Sequence, residues 1–230
     1  MPTDPTSLKQ AAAELAAKQV QNGMIVGLGT GSTAYFLVAA LGQRVKAEGL
    51  RITGVPTSEK TAAQAQSLGI PLSDLDHHPQ LDLTIDGADE VERNTLNLIK
   101  GMGGALLREK IVASASTRFL IIVDESKLVD HLCSHSSLPV EVIPFGWQAT
   151  ERRIRALGCT PTLRQKDGKE FLTDGGHYIL DCAFPPVSEP AELERDLNNT
   201  VGVVEHGLFL SMASEVLVAG ASGVNVLTRK

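Results

Sequence analysis

Short apolar runs alternate with alanine-rich amphipathic stretches along the first half of the chain. The runs "MIVGLG" (24–29), "RITGVP" (51–56) and "RFLIIVDES" (118–126) predict buried strands. Helices are predicted between them, and "STAYFLVAALGQRVKAEG" and "SEKTAAQAQSLG" each end at a glycine. Nearly continuous Val, Ile and Leu runs that alternate with helices indicate a parallel sheet covered on both faces.

Three further elements of this half have more specific signals. "SLKQAAAELAAKQV" predicts an amphipathic helix in which Ser7 and Gln10 have the spacing of a capping box. "LDLTIDGADE" (81–90) predicts one buried strand that runs into a group of carboxylates. "GALLREKIVASAS" (104–116) predicts the helix that follows.

The pattern changes after about residue 132. "LPVEVIPFG" predicts a strand, "ATERRIRALG" a helix, and "TPTLRQKDGKEFLTDGGHYILDCAF" antiparallel strands with turns at "KDGK" and "DGGH". We therefore predict an α/β domain of residues 1–132 plus 207–230 and a smaller α+β domain of residues 133–206. The strand-like tail is expected to return to the first sheet.

Composition disfavours several classes of protein. The 230 residues are 43% hydrophobic and carry a net charge of −6, which disfavours nonspecific binding to nucleic acid or anionic membranes. The three cysteines form no CxxC pair, so neither a disulfide framework nor a zinc knuckle is expected. No signal peptide or membrane-spanning run is recognised, and we expect a cytoplasmic protein.

Three polar or glycine-rich segments directly follow predicted strands. They are "GLGTGSTA" (27–34), "DGADE" (86–90) and "KGMGGALLREK" (100–110). In open parallel sheets, ligands bind outside the carboxyl ends of the strands. We therefore expect the three segments to meet at one edge of the sheet.

"GLGTGSTA" does not meet the requirements of two known phosphate loops. Ser32 stands where the dinucleotide fingerprint needs its third glycine, and no lysine completes a Walker loop. Two interpretations stay open. Backbone N–H groups and the hydroxyls of Thr30, Ser32 and Thr33 either cradle one phosphate at a helix N-terminus or only cap a tight turn.

"DGADE" places Asp86 and Asp89 three residues apart around Gly87. A tight turn there would aim both carboxylates into one cleft, where repulsion would raise the pKa of one and let it move protons between oxygen atoms of a ligand. Helix capping by Asp89 or Glu90 is the plainer alternative. A Mg²⁺ site is the third, but no histidine or further acidic cluster completes it, so no metal is expected.

"KGMGGALLREK" supplies complementary groups. Lys100 is suited to stabilise negative charge on a reacting oxygen, and a partly desolvated Glu109 is suited to act as a general base. The glycines let the backbone approach a ligand closely. Taken alone, "LREK" is more typical of a solvated helix face with charge pairs.

Together these motifs resemble the type A ribose-5-phosphate isomerases. "GLGTGSTA", "DGADE", "KGMGGALLREK", "DESK" and "GVVEHGLF" occur in that family's order and at similar spacing, over nearly the whole chain. The resemblance implies a Rossmann-like, mostly parallel α/β domain with a smaller α+β domain, usually in a homodimer or a pair of dimers. It also implies interconversion of ribose 5-phosphate and ribulose 5-phosphate, in the pentose phosphate pathway, without metal or organic cofactor.

The resemblance also implies roles for individual residues. Glu109 matches the family's catalytic glutamate, Lys100 would stabilise the enediol(ate), and Asp86 with Asp89 beside it would move protons among oxygens. The implied substrate-binding residues are Thr30, Gly31, Ser32, Thr33, Gly87, Ala88, Gly101, Met102, Gly103 and Lys127. Met102 departs from the family, which has glycine there, and methionine resists positive φ.

Two other kinds of function stay open. Another sugar-phosphate enzyme on a related fold, such as a deaminase, would release ammonia, and a coenzyme A transferase would form an acyl adduct on its glutamate. A sugar-phosphate sensor without catalytic activity would usually carry a DNA-binding or partner domain. No helix-turn-helix with a basic face is recognised in the sequence.

Overall fold

The computed structural model describes residues 4–229. The helices are α1 (Pro5–Ala17), α2 (Ser32–Glu48), α3 (Glu59–Ser67), α4 (Leu106–Ser114), α5 (Trp147–Arg155) and α6 (Pro190–Asn198), with a 3₁₀-helix at Glu125–Lys127. The strands are β1 (Ile25–Leu28), β2 (Thr53–Pro56), β3 (Leu83–Asp86), β4 (Glu90–Glu92), β5 (Leu98–Ile99), β6 (Phe119–Asp124), β7 (Leu128–Val129), β8 (Leu138–Val142), β9 (Thr160–Leu163), β10 (Gln165–Lys166), β11 (Lys169–Glu170), β12 (Tyr178–Ala183), β13 (Val203–His206), β14 (Leu208–Phe209), β15 (Glu215–Gly220) and β16 (Gly223–Thr228).

The described chain divides into two compact units. The first comprises the described part of Met1–Ala88, Arg108–Leu128 and the described part of Met212–Lys230; the second comprises Asp89–Leu107 and Val129–Ser211. The expected domains, 1–132 plus 207–230 and 133–206, stay a prediction. Residues 89–107, 129–132 and 207–211, expected in the larger domain, group with the second unit.

A sheet with strand order β16-β15-β6-β3-β1-β2 forms the centre of the first unit. Its strands are parallel except β16, which is antiparallel to β15. Every residue of β3 and β6 is buried, as expected for strands covered on both faces. The predictions of a mostly parallel sheet and of the tail's return to it are confirmed. The core includes Val26, Leu28, Leu83, Ile85, Leu120 and Ile122.

The N-cap of helix α1 lies three residues before the predicted one, Ser7. Asp4 is the N-cap, and its Oδ1 accepts hydrogen bonds from the N–H groups of Thr6 (2.9 Å) and Ser7 (3.2 Å). Pro5 occupies the first helical position, where its missing N–H would have no partner anyway. The predicted capping box of Ser7 and Gln10 is therefore wrong, because Asp4 already satisfies the first turn.

The predicted strand at 81–90 is two strands. β3 ends at Asp86 in the parallel sheet of the first unit, and β4 begins at Glu90 and pairs antiparallel with β5 in the second unit. The prediction of one strand is therefore wrong. It fails at Gly87, since a glycine inside a strand pattern commonly marks an interruption.

An antiparallel sheet with strand order β13-β8-β12-β9 forms the second unit together with α5 and α6. The turn "KDGK" joins β10 to β11, and Asp167 and Gly168 both have positive φ, as a type I′ hairpin turn requires. The predicted antiparallel strands are therefore confirmed. β4, β5, β7 and β14 form a further small sheet in the order β14-β5-β4-β7.

The cysteines lie buried in the second unit. Cys133, Cys159 and Cys182 are all free and belong to one apolar core. Burial, with the negative charge of Glu90 as a smaller cause, raises the pKa of the Cys133 thiol to about 12. This thiol therefore stays protonated near neutral pH and packs as a small apolar side chain. Within residues 4–229, every helix is too short or too polar to cross a membrane.

Candidate active site

Several predicted site residues lie where parallel strands of the first unit end. The Thr30 turn (residues 29–33) follows β1, and Asp86 is the last residue of β3. Lys127 ends the 3₁₀-helix directly after β6, where the Asp124 carboxylate accepts the Ser126 N–H at 3.1 Å. Because these strands run parallel, their carboxyl ends lie at one edge of the sheet.

Asp86 connects the end of β3 to the Thr30 turn. Its Oδ1 accepts hydrogen bonds from the Thr30 N–H (3.0 Å) and from the Gly87 N–H (2.7 Å). The residue is 1% exposed. Gly29 allows this approach, because a Cβ there would overlap the carboxylate and lie 2.7 Å from the Asp86 Cα. The expected meeting of these two segments is therefore present in the first unit.

A cluster of hydroxyl groups holds the Thr30 turn from the other side. Thr30 Oγ1 lies 2.7 Å from Thr57 Oγ1, 2.8 Å from Ser58 Oγ and 3.2 Å from Thr61 Oγ1. Thr61 Oγ1 in turn donates to the Gly29 carbonyl at 3.0 Å. Thr57, Ser58 and Thr61 are all buried, so their hydroxyls are directed by the protein and not by solvent. The turn is therefore fixed by neutral groups that follow β2.

Helix α2 begins at this turn, and no side chain of its N-cap residue caps its first turn. Its N-cap is Gly31, at φ +118°, which has no side chain that could accept a hydrogen bond from the first turn. Helix N-termini favour negative charge because their backbone N–H groups point outward. This favours the phosphate interpretation of "GLGTGSTA" over simple capping. Thr33 is buried beside Gly87, where a Cβ would lie 3.8 Å from the Thr33 Cβ.

Lys9 adds a positive charge that sequence reasoning missed. Its Nζ donates to Ser32 Oγ at 3.1 Å, so α1 contributes an ammonium group to the Thr30 turn. An anion at the N-terminus of α2 would be attracted by this charge. Lys9 stands in "SLKQ", which has no motif, and only the packing of α1 beside α2 brings it to the turn.

Glu109 lies in the first turn of α4, at the same edge of the first unit. Arg108 Nη1 donates to Glu59 Oε1 at 2.8 Å, which places this turn beside the start of α3, just after β2. One turn later, Val112 packs on Gly27 of β1, where a Cβ would lie 2.7 Å from Val112 Cγ1. Glu109 is only 2% exposed. The alternative of a solvated "LREK" face is therefore wrong for Glu109, although Arg108 fits it.

The remaining predicted residues lie in the second unit, in the glycine loop (residues 100–104). Lys100 is 2% exposed, its N–H donates to the Gly207 carbonyl at 2.9 Å, and its Nζ lies 5.5 Å from the centre of the Phe209 ring. Gly101 and Gly104 have positive φ, at +106° and +82°. Gly103 and Met102 do not, so methionine is accommodated here without backbone strain.

Asp89 and Glu90 hold loops of the second unit. Asp89 Oδ2 accepts the Met102 N–H at 3.0 Å. Glu90 is fully buried, and its two oxygens accept the N–H groups of Cys133 (2.7 Å), His135 and Ser136 (both 2.6 Å). Helix capping by either residue is therefore wrong, since Asp89 directly precedes β4 and Glu90 is the first residue of that strand. The structural role of Glu90 has no local sequence signal.

No metal cage was found among residues 4–229. Within that part of the chain, no group of three or more His, Cys, Asp and Glu side chains has an arrangement that could hold a metal ion. The strand-end edge of the first unit offers buried carboxylates and backbone N–H groups, which suit proton transfer on an anionic ligand. The glycine loop of the second unit carries the buried Lys100, whose charge is suited to stabilise an anion.

The chain matches a known protein family over most of its length. The model of ribose 5-phosphate isomerase A (phosphoriboisomerase A) matches residues 53–223. The ribose-5-phosphate isomerase A of Synechococcus sp. (strain JA-3-3Ab) is 58% identical over 221 residues, which are 96% of either chain. That of Gloeobacter violaceus is 60% identical over 221 residues, again 96% of either chain.

Solved structures show the same similarity. Ribose 5-phosphate isomerase A of Methanocaldococcus jannaschii is 42% identical with a TM-score of 0.93, covering 97% of this chain and 99% of that one. A D-ribose-5-phosphate isomerase in complex with phospho-erythronic acid is 39% identical with a TM-score of 0.95, covering 99% and 100%. The predicted α/β fold class is thereby confirmed.

Proposed function

The chain belongs to the ribose 5-phosphate isomerase A family and is an enzyme of that class, and we propose that it interconverts D-ribose 5-phosphate and D-ribulose 5-phosphate through an enediol(ate). The observation that supports this most is the burial of Glu109 at the strand-end edge that also carries Asp86 and the Thr30 turn. A carboxylate shielded from water beside an anion-binding turn is suited to proton transfer on a tethered sugar phosphate.

Glu109 is the base in this proposal. Conversion of the aldose to the ketose moves a proton from C2 to C1, and one carboxylate can accept it at C2 and return it at C1. Because Glu109 is 2% exposed, water competes little for its oxygens. Its position in helix α4 also gives Glu109 a rigid support.

Lys100 stabilises the intermediate, which carries negative charge on an oxygen. Its ammonium group is on a residue 2% exposed, and a charge acts more strongly where water is excluded. Protons must also move among O1, O2 and the ring oxygen. We assign this to Asp86, with Asp89 as its helper and as the residue that holds the Met102 N–H.

The Thr30 turn binds the phosphate in this proposal, with Lys9 as a cation at the turn and Lys127, just after β6, as a further cation for the phosphate or a sugar hydroxyl. The N-terminus of α2, which starts at Gly31, and the ammonium group at Ser32 support this assignment. A solved relative in complex with phospho-erythronic acid supports a phosphosugar as the substrate class. The reaction needs no metal, because proton transfer and charge stabilisation are both supplied by side chains.

An assay of ribulose 5-phosphate formation with excess EDTA tests the proposal. We expect full turnover with chelator, and loss of activity on chelation would contradict a metal-independent reaction.

Glu109→Gln is expected to lower kcat roughly 10²–10⁴-fold, the usual loss for an essential general base. Glu192→Gln, on the exposed side of α6, is the control. Near-normal kcat in Glu109→Gln would remove that residue from its role, and an inactive wild type would reject the function.

We also propose that the enzyme is a cytoplasmic homodimer or homotetramer. Phe145 is 94% exposed and Val201 is 75% exposed, and large apolar side chains left in the open are typical of contact surfaces. Sedimentation equilibrium at micromolar concentration should give a mass of two or four chains, and a monomer there would contradict assembly. Cell fractionation tests the compartment.

A further inference from the structure

Arg164, which directly follows β9 in the second unit, uses its guanidinium group on protein partners. Nε donates to Asp181 Oδ2 at 2.9 Å and Nη2 donates to Asp181 Oδ1, which makes a bidentate ion pair. Nη1 donates to the carbonyls of Gly101 (2.9 Å) and Met102 (3.2 Å), and Nη2 lies 3.9 Å from the Met102 sulfur. The side chain therefore joins β12 to two consecutive carbonyls of the glycine loop.

This set of contacts requires the geometry of arginine. The guanidinium group presents five N–H donors in one plane, whereas a lysine has three donors around a single nitrogen. Lysine could therefore keep the charge beside Asp181 but could not bond the carboxylate and both carbonyls together. The Arg164 side chain is 12% exposed and that of Asp181 is 23% exposed, so water weakens the pair less than it weakens a surface pair.

Phe171 extends the same support to the far end of the glycine loop. The Arg164 guanidinium lies 5.9 Å from the centre of the Phe171 ring, and the Phe171 N–H donates to the Arg164 carbonyl at 3.0 Å. The ring packs on Gly104, where a Cβ would lie 2.5 Å from Phe171 Cζ. Arg164 thus contacts the loop directly at Gly101 and Met102 and through Phe171 at Gly104.

The opposite side of the loop is held through its amide groups. Gly207 accepts the Lys100 N–H at 2.9 Å, and Asp89 accepts the Met102 N–H at 3.0 Å. Carbonyls on one side and amides on the other are therefore both engaged. Of these partners, Arg164 is the one that binds two consecutive peptide units, so the path of the backbone after Lys100 depends most on it.

We propose that Arg164 is a positioning residue of the isomerase reaction, which fixes the glycine loop so that Lys100 keeps its place. The proposal rests on the proposed function, because Lys100 receives its role there. Arg164 does not act on the substrate itself, since its N–H groups are engaged by Asp181 and by the loop carbonyls. It acts through the backbone that carries Lys100.

Steady-state kinetics of Arg164→Lys and Asp181→Asn test the proposal, with Arg152→Lys on the exposed side of α5 as control. We expect kcat of Arg164→Lys to fall roughly 10- to 100-fold, since a displacement of about 1 Å near reacting atoms has effects of that size. KM should change less than about twofold, because phosphate binding is not touched. Asp181→Asn, which keeps the guanidinium but weakens its partner, should show a smaller loss of the same kind.

A double-mutant cycle separates positioning from a general structural role. In a Lys100→Ala background, Arg164→Lys should lower kcat little further, because both changes remove the same contribution. A second fall of full size in that background would overturn the proposal. So would a folded Arg164→Lys, verified by circular dichroism and thermal melting, whose kcat equals that of wild type.

Hydrogen exchange at the amides of residues 101–104 gives a readout that does not depend on activity. We expect faster exchange in Arg164→Lys than in wild type and in Arg152→Lys, and unchanged exchange would overturn the proposal. An inactive wild type would instead reject the proposed function, and it would be seen in the assay of the unsubstituted enzyme alone. The two failures are therefore distinguishable.

Discussion

The Thr30 turn of the first unit and the glycine loop of the second are both short segments that follow a strand and contain glycine, but different chemistry holds them. The Thr30 turn is held by neutral hydroxyls of Thr57, Ser58 and Thr61 and by the buried Asp86. The glycine loop is held by the Arg164 ion pair with Asp181 and by Asp89.

The difference follows from what each segment has to do in the proposed reaction. A phosphate carries its own charge, and the N-terminus of α2 and Lys9 would attract it, while hydroxyls and the Asp86 carboxylate fix the backbone of the turn. The glycine loop carries a cation of its own, Lys100. Arg164 bonds the carbonyls of Gly101 and Met102, and Asp89 bonds the Met102 N–H, so side-chain bonds to this backbone come from charged groups, which make the stronger kind of hydrogen bond. The Thr30 turn has one such charged partner, Asp86, beside its hydroxyls. Substitutions in the two segments should therefore affect different kinetic constants.

Gly29→Ala is expected to break the Thr30 turn and to have the largest effect. A Cβ there would overlap the Asp86 carboxylate and lie 2.7 Å from the Asp86 Cα, so backbone has to move. Overpacking of this kind commonly lowers the free energy of unfolding by about 1–3 kcal/mol. Displacement of the turn should lower kcat/KM roughly 10²-fold. Denaturant unfolding and steady-state kinetics measure the two effects.

The kinetics of two other glycine-to-alanine variants show whether the effect of Gly29→Ala is specific to the Thr30 turn. Gly175→Ala is the control, because the nearest atom to its Cβ would be His177 Nδ1 at 3.3 Å, on a side chain that can move. Gly104→Ala perturbs the glycine loop, because Gly104 has a φ of +82° and a Cβ there would lie 2.5 Å from Phe171 Cζ, and there kcat should fall more than KM rises. If Gly29→Ala lowered kcat and left KM unchanged, the assignment of phosphate binding to the Thr30 turn would be wrong.

Thr61→Val is expected to have an intermediate effect, since it removes one hydroxyl with little change of shape. The hydroxyl donates to the Gly29 carbonyl at 3.0 Å and lies 3.2 Å from Thr30 Oγ1, in a residue 5% exposed. Leaving a buried partner unsatisfied commonly lowers stability by about 1–3 kcal/mol. KM should rise several-fold while kcat changes little, as kinetics at low and high salt can test.

The salt dependence of KM distinguishes a turn held by hydroxyl groups from one held by charged groups. The increase in KM caused by Thr61→Val relative to wild type should be the same at both salt concentrations, because no charge is removed. Thr162→Val, on the exposed side of β9, is the matched control and should stay within about 0.5 kcal/mol of wild type in stability. An effect of Thr61→Val that vanished at high salt would indicate that charge and not hydroxyl geometry holds the turn.

The Thr30 turn was largely predictable from sequence, and the anchors of the glycine loop were not. Strand and helix periods place Thr30 and Asp86 at the ends of parallel strands, and the geometry of such sheets then brings them together. Arg164 and Lys9 reach their loops through side chains from elements distant in sequence, and no local pattern records such contacts. The interruption at Gly87 was missed for another reason: the predicted strand was extended through the carboxylates of residues 86–90, whereas β3 ends at Asp86 and β4 begins at Glu90 in another sheet.

Met102→Gly is expected to have the smallest effect. It tests whether the backbone hydrogen bonds of the glycine loop hold its conformation without the Met102 side chain. Met102 has ordinary φ, is 49% exposed, and its N–H and carbonyl make their bonds to Asp89 and Arg164 whatever the side chain. Glycine should lower stability by only about 0.5–1 kcal/mol, through the greater freedom of the unfolded chain.

The catalytic outcome of Met102→Gly bears directly on the comparison. We expect kcat and KM within about twofold of wild type, because the contact of its sulfur with Arg164 Nη2, at 3.9 Å, is a weak hydrogen bond. A tenfold fall in kcat would mean that the thioether helps to hold Arg164 in place. The glycine loop would then be anchored by side-chain packing as well as by charge, and its difference from the Thr30 turn would be smaller than the hydrogen bonds alone indicate.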